Sequence, residues 1–344
     1  MAEHSTVPQN GSPGSKLVEV KDLVVHFHLI DGVVPAVRGV NFAINRGQTL
    51  GVVGESGCGK TVTALSILRL APSRQARIVG GQILFHRPDG HVVDLIGVPP
   101  NGAQMRSIRG GEIAVVFQEP MTSLTPAYTI GEQIIEAVTL HQGVGRGEAR
   151  QRAIEMLERV GMPQPSRVVD SYPHQLSGGM LQRAMIAVAL SCNPSLLIAD
   201  EPTTALDVTT AAQILELMQR LQEELGMAMM YISHNLGVIA ELADDVVVMY
   251  LGKVVEHADV ETVFTTPKHP YTQGLLNSIP RFGSRKRLEP IHGTVPELRA
   301  IPDGCSFASR CPHFMSGICD GVEPPLILVG PRHEVRCYLY DPRE

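Results

Sequence analysis

An α/β fold, with buried strands covered by helices on both faces, is what this sequence predicts, and three observations predict it. Short apolar runs bounded by turns, TLGVV and SLLIAD, read as buried strands. Segments with helical spacing accompany them, and AAQILELMQRLQEEL is the clearest amphipathic case. The two kinds alternate along most of the chain, which is the pattern of a layered α/β sheet. With 344 residues, 44% of them hydrophobic, the chain can bury a sizeable core and fill one large or two modest domains.

Taken in order, LVEVKDLVVHF is β-branched and partly alternating, so it reads as a strand, and GVNFAIN and TLGVVG read as two more. A Gly-rich turn follows at Gly54–Thr61. Then VTALSILRLAP has helical spacing until Pro72 stops it. Residues 78–117 mix short strands with Gly and Pro turns. From about Ile130 to Met162 the pattern is helical, and another helix runs through MLQRAMIAVALS. SLLIAD is short, apolar and ends in an acid, as a buried strand would. MAMMYISH and VVVMYLGKVVEH return to strands. Beyond about Asp259 the texture changes: prolines are many, periodicity is weak, and four of the six cysteines fall there. A boundary at roughly 255–262 is expected, with a loop-rich tail that needs a staple beyond its own core. No internal repeat is present.

Composition excludes several classes. The net charge of −6 argues against a broad nucleic-acid-binding face. No apolar run approaches the ~18 residues of a spanning helix. The first sixteen residues are polar and rich in Gly, Ser and Pro, so they read as a disordered leader and lack the apolar centre of a secretory signal. The chain is therefore expected in the cytosol, meeting a membrane only through partners.

The chemistry begins at GESGCGKT, Gly54–Thr61, which fits G-x-x-x-x-G-K-[ST] between a strand and a helix. Glycines let the backbone turn its N–H groups inward as an anion nest, and the helix N-terminus adds partial positive charge. Lys60 suits the β- and γ-phosphates of a nucleoside triphosphate, and the Thr61 hydroxyl suits Mg²⁺. The competing reading is a Gly-rich turn with a chance lysine. SLLIADEP supplies an acid at a strand end, Asp200, that can orient magnesium through water. Glu201 beside it can polarise an attacking water. LSGGMLQR, Leu176–Arg183, places Ser and two glycines before a helix, making a second anion-binding N-terminus. One triphosphate does not need two nests in one chain, so the economical arrangement is a dimer in which this nest closes on the partner's γ-phosphate. The plainer alternative is Ser177 as an ordinary N-cap.

Together these residues resemble the nucleotide-binding subunit of an ABC transporter, over roughly residues 17–258. Gly54–Thr61 matches the family's Walker A, and the resemblance implies ATP contacts from Ser56, Gly57, Cys58, Gly59, Lys60, Thr61 and Val62. Gln118 matches the glutamine loop, which contacts magnesium and faces the membrane subunits. Leu176–Met180 matches the signature, so Ser177, Gly178, Gly179 and Met180 would touch a partner's ATP; Met180 stands where most members carry Gln. Leu196–Asp200 with Glu201 matches Walker B and the catalytic carboxylate. Ala205-Leu206-Asp207 matches the D-loop. His234 matches the switch histidine near the γ-phosphate, with Asn235 where aspartate is usual. Phe27 stands where the family places an adenine-stacking aromatic; a strand-end core Phe is the other reading, and His28 the nearest competitor. The implied fold is a P-loop NTPase with a RecA-like core, an antiparallel β subdomain and a helical subdomain at about 123–180.

EPMTSLTP, YPHQLSGGM, DEPTTALDVTTAAQI and HPYTQGLL look like the dipeptide/oligopeptide importer branch. That resemblance implies an ATP-hydrolysing subunit on the cytoplasmic face of the membrane. It would pair with a second ATPase subunit, two transmembrane permease subunits and an extracytoplasmic solute-binding protein, and bind no nucleic acid. Two ATPs would lie between the subunits, each held by one chain's Walker A and the other's signature. The same branch carries nickel, oligosaccharides and opine-like solutes. A soluble ABC ATPase usually has two cassettes or a long coiled coil, and neither is present. A silent regulator is disfavoured by Glu201 and His234, and a small GTPase by the lack of an N/T-K-x-D motif.

Cys305, Cys311, Cys319 and Cys337 crowd the tail at 259–344, with gaps of five, seven and seventeen residues. Disulfides are disfavoured in a cytosol poised at roughly −220 to −320 mV. Zinc favours ligand pairs about two to four residues apart. A [4Fe–4S] cluster needs four thiolates and tolerates varied spacing. Some members of the importer branch hold such a cluster in a Cys-rich extension, so the resemblance implies it, with Zn²⁺ or free thiols as alternatives. Cys58 lies inside the phosphate loop, where its thiol is a possible point of modification. Cys192 reads as core.

Overall fold

The computed structural model describes residues 15–71, 75–204, 206–279, 290–299 and 301–341. Residues 72–74, where Pro72 is expected to stop a helix, Ala205, the first fourteen residues, 280–289, 300 and the last three lie outside them.

The chain opens with strands β1 (Lys16–Leu29), β2 (Gly32–Asn45) and β3 (Thr49–Val53), the last buried at every residue. Helix α1 (Lys60–Ile67) follows the Gly-rich turn and stops at Leu68, where Arg69 adopts a left-handed φ of 54°. Then come β4 (Ala76–His86), β5 (Val92–Asp94), α2 (Ala103–Ile108) and β6 (Ile113–Val116). Helix α2 is too short to show a period in sequence; it forms because Met105 and Ile108 share one buried face. The short α3 (Pro120–Ser123) leads to α4 (Ile130–Gln142), whose start is fixed by a Thr129/Glu132 capping box. Helices α5 (Arg146–Arg159), α6 (Pro165–Val168) and α7 (Gly178–Leu190) precede β7 (Leu196–Asp200), again buried throughout. Helix α8 (Val208–Leu225) buries Ile214, Leu217, Met218 and Leu221 at helical spacing, as its pattern predicts. The rest is β8 (Ala228–Ile232), α9 (Leu236–Leu242), β9 (Asp245–Tyr250), β10 (Lys253–Asp259), α10 (Val260–Thr265), α11 (Pro270–Asn277), β11 (Ile327–Gly330) and β12 (His333–Val335).

Two compact units interleave in sequence. One holds the described residues up to Val18, Ile44–Gln48 and Phe85–Met230. The other holds Glu19–Ala43, Thr49–Leu84 and the described residues from Tyr231 on. In the first unit β6 and β7 pair in parallel, from Ile113 opposite Leu196 to Val116 opposite Ala199. Helices α4, α5 and α7 pack on one another, and α7 also packs on β6.

In the second unit β3 and β9 are parallel, β9 and β10 antiparallel, and β12 adds antiparallel to β10, with β11 beyond it. The tail therefore contains two strands that extend a sheet, although its proline-rich sequence reads as loops. Glu256 on β10 is fully buried and anchors the tail. It accepts from the Lys268 and His269 backbone N–H groups at 2.6 and 3.0 Å, and His333 Nε2 lies 2.8 Å away. A buried carboxylate persists only with partners of this kind. Tyr250, Tyr271 and Phe307 form a buried aromatic cluster, with ring centroids 4.7–5.5 Å apart.

Candidate functional site

In the second unit, buried β3 delivers the chain into the phosphate loop and α1 leaves it. Gly54 has φ 151°, and a Cβ there would sit 2.2 Å from the Met249 carbonyl oxygen; at Gly59, φ 101°, it would sit 2.6 Å from that of Ala36. Only glycine lets the loop lie this close to β9 and β2. Lys60 is buried at the foot of the loop, and its Nζ donates to the Gly54 and Glu55 carbonyls at 2.8 and 3.1 Å. Ser56, Gly57 and Thr61 are exposed, Val62 is half-buried and Cys58 is buried beneath them. Burial pushes the Cys58 thiol up, partly offset by the Lys60 charge. His234, in the turn after β8, is exposed, and Phe27 on β1 is half-buried whereas Val25 beside it is fully buried. Asn235, in the usual aspartate position, caps α9 by accepting from the Gly237 N–H at 3.0 Å.

In the first unit the β6–β7 register carries two predicted residues to neighbouring strand ends. Asp200 ends β7 and is 5% exposed. Glu201, next along, takes a left-handed φ of 46°, a conformation that costs a non-glycine residue about 1–3 kcal/mol. Its carboxylate accepts from Thr204 Oγ1 at 3.0 Å and from Gln118 Nε2 at 3.4 Å. Thr204 was not legible as a participant, because a threonine three residues past an acid carries no signature of its own. At the start of α7 Ser177 is the N-cap, its Oγ accepting from the Met180 N–H at 3.4 Å, and Ser177 and Gly178 are exposed. Asp207 caps α8, accepting from the Thr210 N–H and hydroxyl at 3.0 and 2.7 Å; these bonds hold its carboxyl below the usual range.

The four tail cysteines, Cys305, Cys311, Cys319 and Cys337, line one enclosed cavity together with His269 and Phe307. All six cysteines of the chain are free, so no disulfide staples the tail. Burial pushes the Cys305 thiol up to about 12 and Cys337 up to about 11. His269 is buried and pushed down to about 3, and its Nδ1 accepts from the Tyr271 N–H at 3.0 Å, so it serves as the cap of α11. The donor set has the number and kind of ligands an iron–sulfur cluster requires. Among the described residues, however, no group of three or more His, Cys, Asp or Glu side chains is arranged to hold a metal ion. No helix among them is long and apolar enough to cross a membrane.

Comparison with known proteins fits this geometry. A family described as "ABC transporter" matches residues 37–204, and one described as "Oligopeptide/dipeptide transporter, C-terminal region" matches 255–319. The "Probable peptide ABC transporter ATP-binding protein y4tR" of Sinorhizobium fredii is 50% identical over 332 residues, covering 96% of this chain and 97% of its own. The oligopeptide transport ATP-binding protein AppD of Bacillus subtilis is 48% identical, covering 95% and 98%. A dimeric ATP-binding cassette, MJ0796, in a post-hydrolysis state bound to ADP and Pi, superposes with a TM-score of 0.62 at 27% identity. It covers 71% of this chain and 99% of that one. The chain belongs to the ABC transporter family, as an ATP-binding, ATP-hydrolysing cassette with the α/β P-loop fold that the sequence predicts.

Proposed function

We propose that this chain powers the import of di- or oligopeptides through a membrane transporter. The observation that carries the reading is the tandem of two family matches on one chain, a cassette followed by the oligopeptide/dipeptide C-terminal region. Relatives named for peptide transport align with it along nearly their whole length. We divide the chain into a leader at 1–16, a cassette at 17–258 and an extension at 259–344.

In this reading the Ser56–Val62 backbone and Lys60 bind the triphosphate, and Phe27 stacks on adenine. Thr61, Gln118 and Asp200 are the Mg²⁺ residues; the bound ion would offset phosphate charge. Glu201 draws a proton from water and His234 hydrogen-bonds the γ-phosphate. Ser177, Gly178, Gly179 and Met180 serve the ATP of a second ATPase subunit, with Asp207 beside that junction. The solvent exposure of Ser177 and Gly178 at a helix N-terminus supports this role. Two permease subunits and an extracytoplasmic solute-binding protein complete the assembly, placing the chain peripherally at the cytoplasmic face of the membrane, with no nucleic acid involved. The four-thiol cavity is the candidate seat of a [4Fe–4S] cluster, with Zn²⁺ the alternative. Metal analysis and visible absorption of anaerobically purified protein distinguish the two.

The test is uptake. Glu201→Gln in the producing organism should abolish uptake of labelled di- and oligopeptides while ATP binding persists. Unchanged peptide uptake, with loss of nickel, oligosaccharide or opine uptake instead, would reassign the cargo.

A further inference from the structure

Three separate groups grip one residue of the phosphate loop. The Glu55 N–H donates to the Tyr271 hydroxyl at 2.8 Å. The Glu55 carboxylate receives a two-pronged ion pair from Arg310, with Nη1 at 2.7 Å and Nη2 at 3.1 Å. The Glu55 carbonyl accepts from Lys60. Two of these three come from the tail, some 216 and 255 positions further along the chain.

Arg310 is not placed to bind phosphate itself. Its side chain is 4% exposed, its Nε donates to the His292 carbonyl at 3.0 Å and its Nη1 also reaches the Tyr250 hydroxyl at 3.3 Å. Its guanidinium lies 5.8 and 5.9 Å from the centres of the Tyr250 and Phe307 rings. Tyr271 is equally fixed, inside the same aromatic cluster and on a helix capped by His269. Both therefore act on the loop from rigid, buried positions.

Lys60 must release the loop carbonyls in order to reach a phosphate. The Tyr271 and Arg310 contacts need not break at that moment, because neither lies on the loop's exposed face. We infer that the tail is a cis-acting positioning element of the nucleotide site, in which Arg310 and Tyr271 keep the loop in its nucleotide-accepting form through Glu55. The gain is pre-organisation: a loop that is competent for only part of the time binds with an affinity reduced by that fraction. The inference rests on the assignment of Gly54–Thr61 to ATP.

The test uses the full chain assembled with its transport partners, and reads both binding of a fluorescent ATP analogue with Mg²⁺ and steady-state ATPase. Wild-type binding is measured first, which checks the nucleotide assignment independently. Arg310→Met should raise the Kd and KM for ATP about tenfold or more, the reciprocal of a competent fraction near one-tenth, with kcat at saturation little changed. Arg310→Lys should recover part of the affinity, and Tyr271→Phe, which removes one acceptor and keeps the ring, should weaken binding by a smaller factor. Adding Arg310→Met to Glu55→Gln should cost little beyond the single change. A lowered unfolding temperature with unchanged ATP affinity in Arg310→Lys and Tyr271→Phe would overturn the inference, as would a fall in kcat at constant KM. Should Arg310→Met fail to fold, those two milder variants decide the matter.

Discussion

Gln118 Nε2 donates to a Glu201 carboxylate oxygen across 83 positions of sequence, at 3.4 Å. The parallel β6–β7 register makes the meeting inevitable: Val116 faces Ala199, so the residues just past each strand end emerge together. Thr204 Oγ1 donates to the same carboxylate at 3.0 Å, so residues from two segments orient Glu201.

Glu201→Gln should retain ATP binding and lose turnover by about 10²–10⁴-fold, the usual contribution of a general base. Single-turnover ATPase in the assembled complex, with the partner's site silenced, measures it. A closed dimer should accumulate on native mass spectrometry. Turnover at the wild-type rate would remove Glu201 from the chemistry.

Gly54→Ala should destabilise the second unit by roughly 2–5 kcal/mol. The added methyl meets the Met249 carbonyl oxygen at 2.2 Å, at a φ that L-residues avoid. The denaturation midpoint and ATP binding should fall together. Gly57→Ala, which meets nothing within 4 Å at φ 78°, should lose less stability.

Glu256→Ala should cost about 3–5 kcal/mol, because it strips His333 and two backbone N–H groups of their buried partner. Glu256→Gln keeps an acceptor oxygen and should cost less. Chemical denaturation of both variants gives the comparison; equal, small losses would show that water replaces the carboxylate readily.

Cys58 should resist alkylation at neutral pH. Burial raises its pKa above the ordinary thiol value, so the reactive thiolate is scarcer than in an exposed cysteine, and labelling should climb only at pH values above those at which an exposed cysteine reacts. Peptide mapping after timed N-ethylmaleimide treatment follows it. Rapid modification at pH 7.5 would mean that the loop opens far enough to release the thiol.

What the sequence disclosed and what it concealed divide along one physical line. The placement of the phosphate loop before a helix, of Asp200 and Glu201 at a strand end and of Ser177 at a helix start was legible because each sits in a local pattern spanning no more than eight residues. Helix α2 was not, being shorter than two turns. Thr204, Tyr271 and Arg310 were not, because their roles arise from contacts made in three dimensions. HPYTQGLL marks the importer branch in sequence, and in the structure its tyrosine holds the loop and its histidine caps the helix that carries it. The cysteine spacings match no fixed ligand motif, and it was the resemblance to the importer branch that grouped the four thiols now found lining one cavity.

The pairing of β12 onto β10 has a practical consequence for anyone trimming this protein. With β12 removed, the outer rim of β10 would offer a row of unsatisfied amides and carbonyls to any passing polypeptide. A shortened version ending near Asp259 would therefore tend to clump, and the tail acts as a guard against self-association as well as an appendage of the cassette.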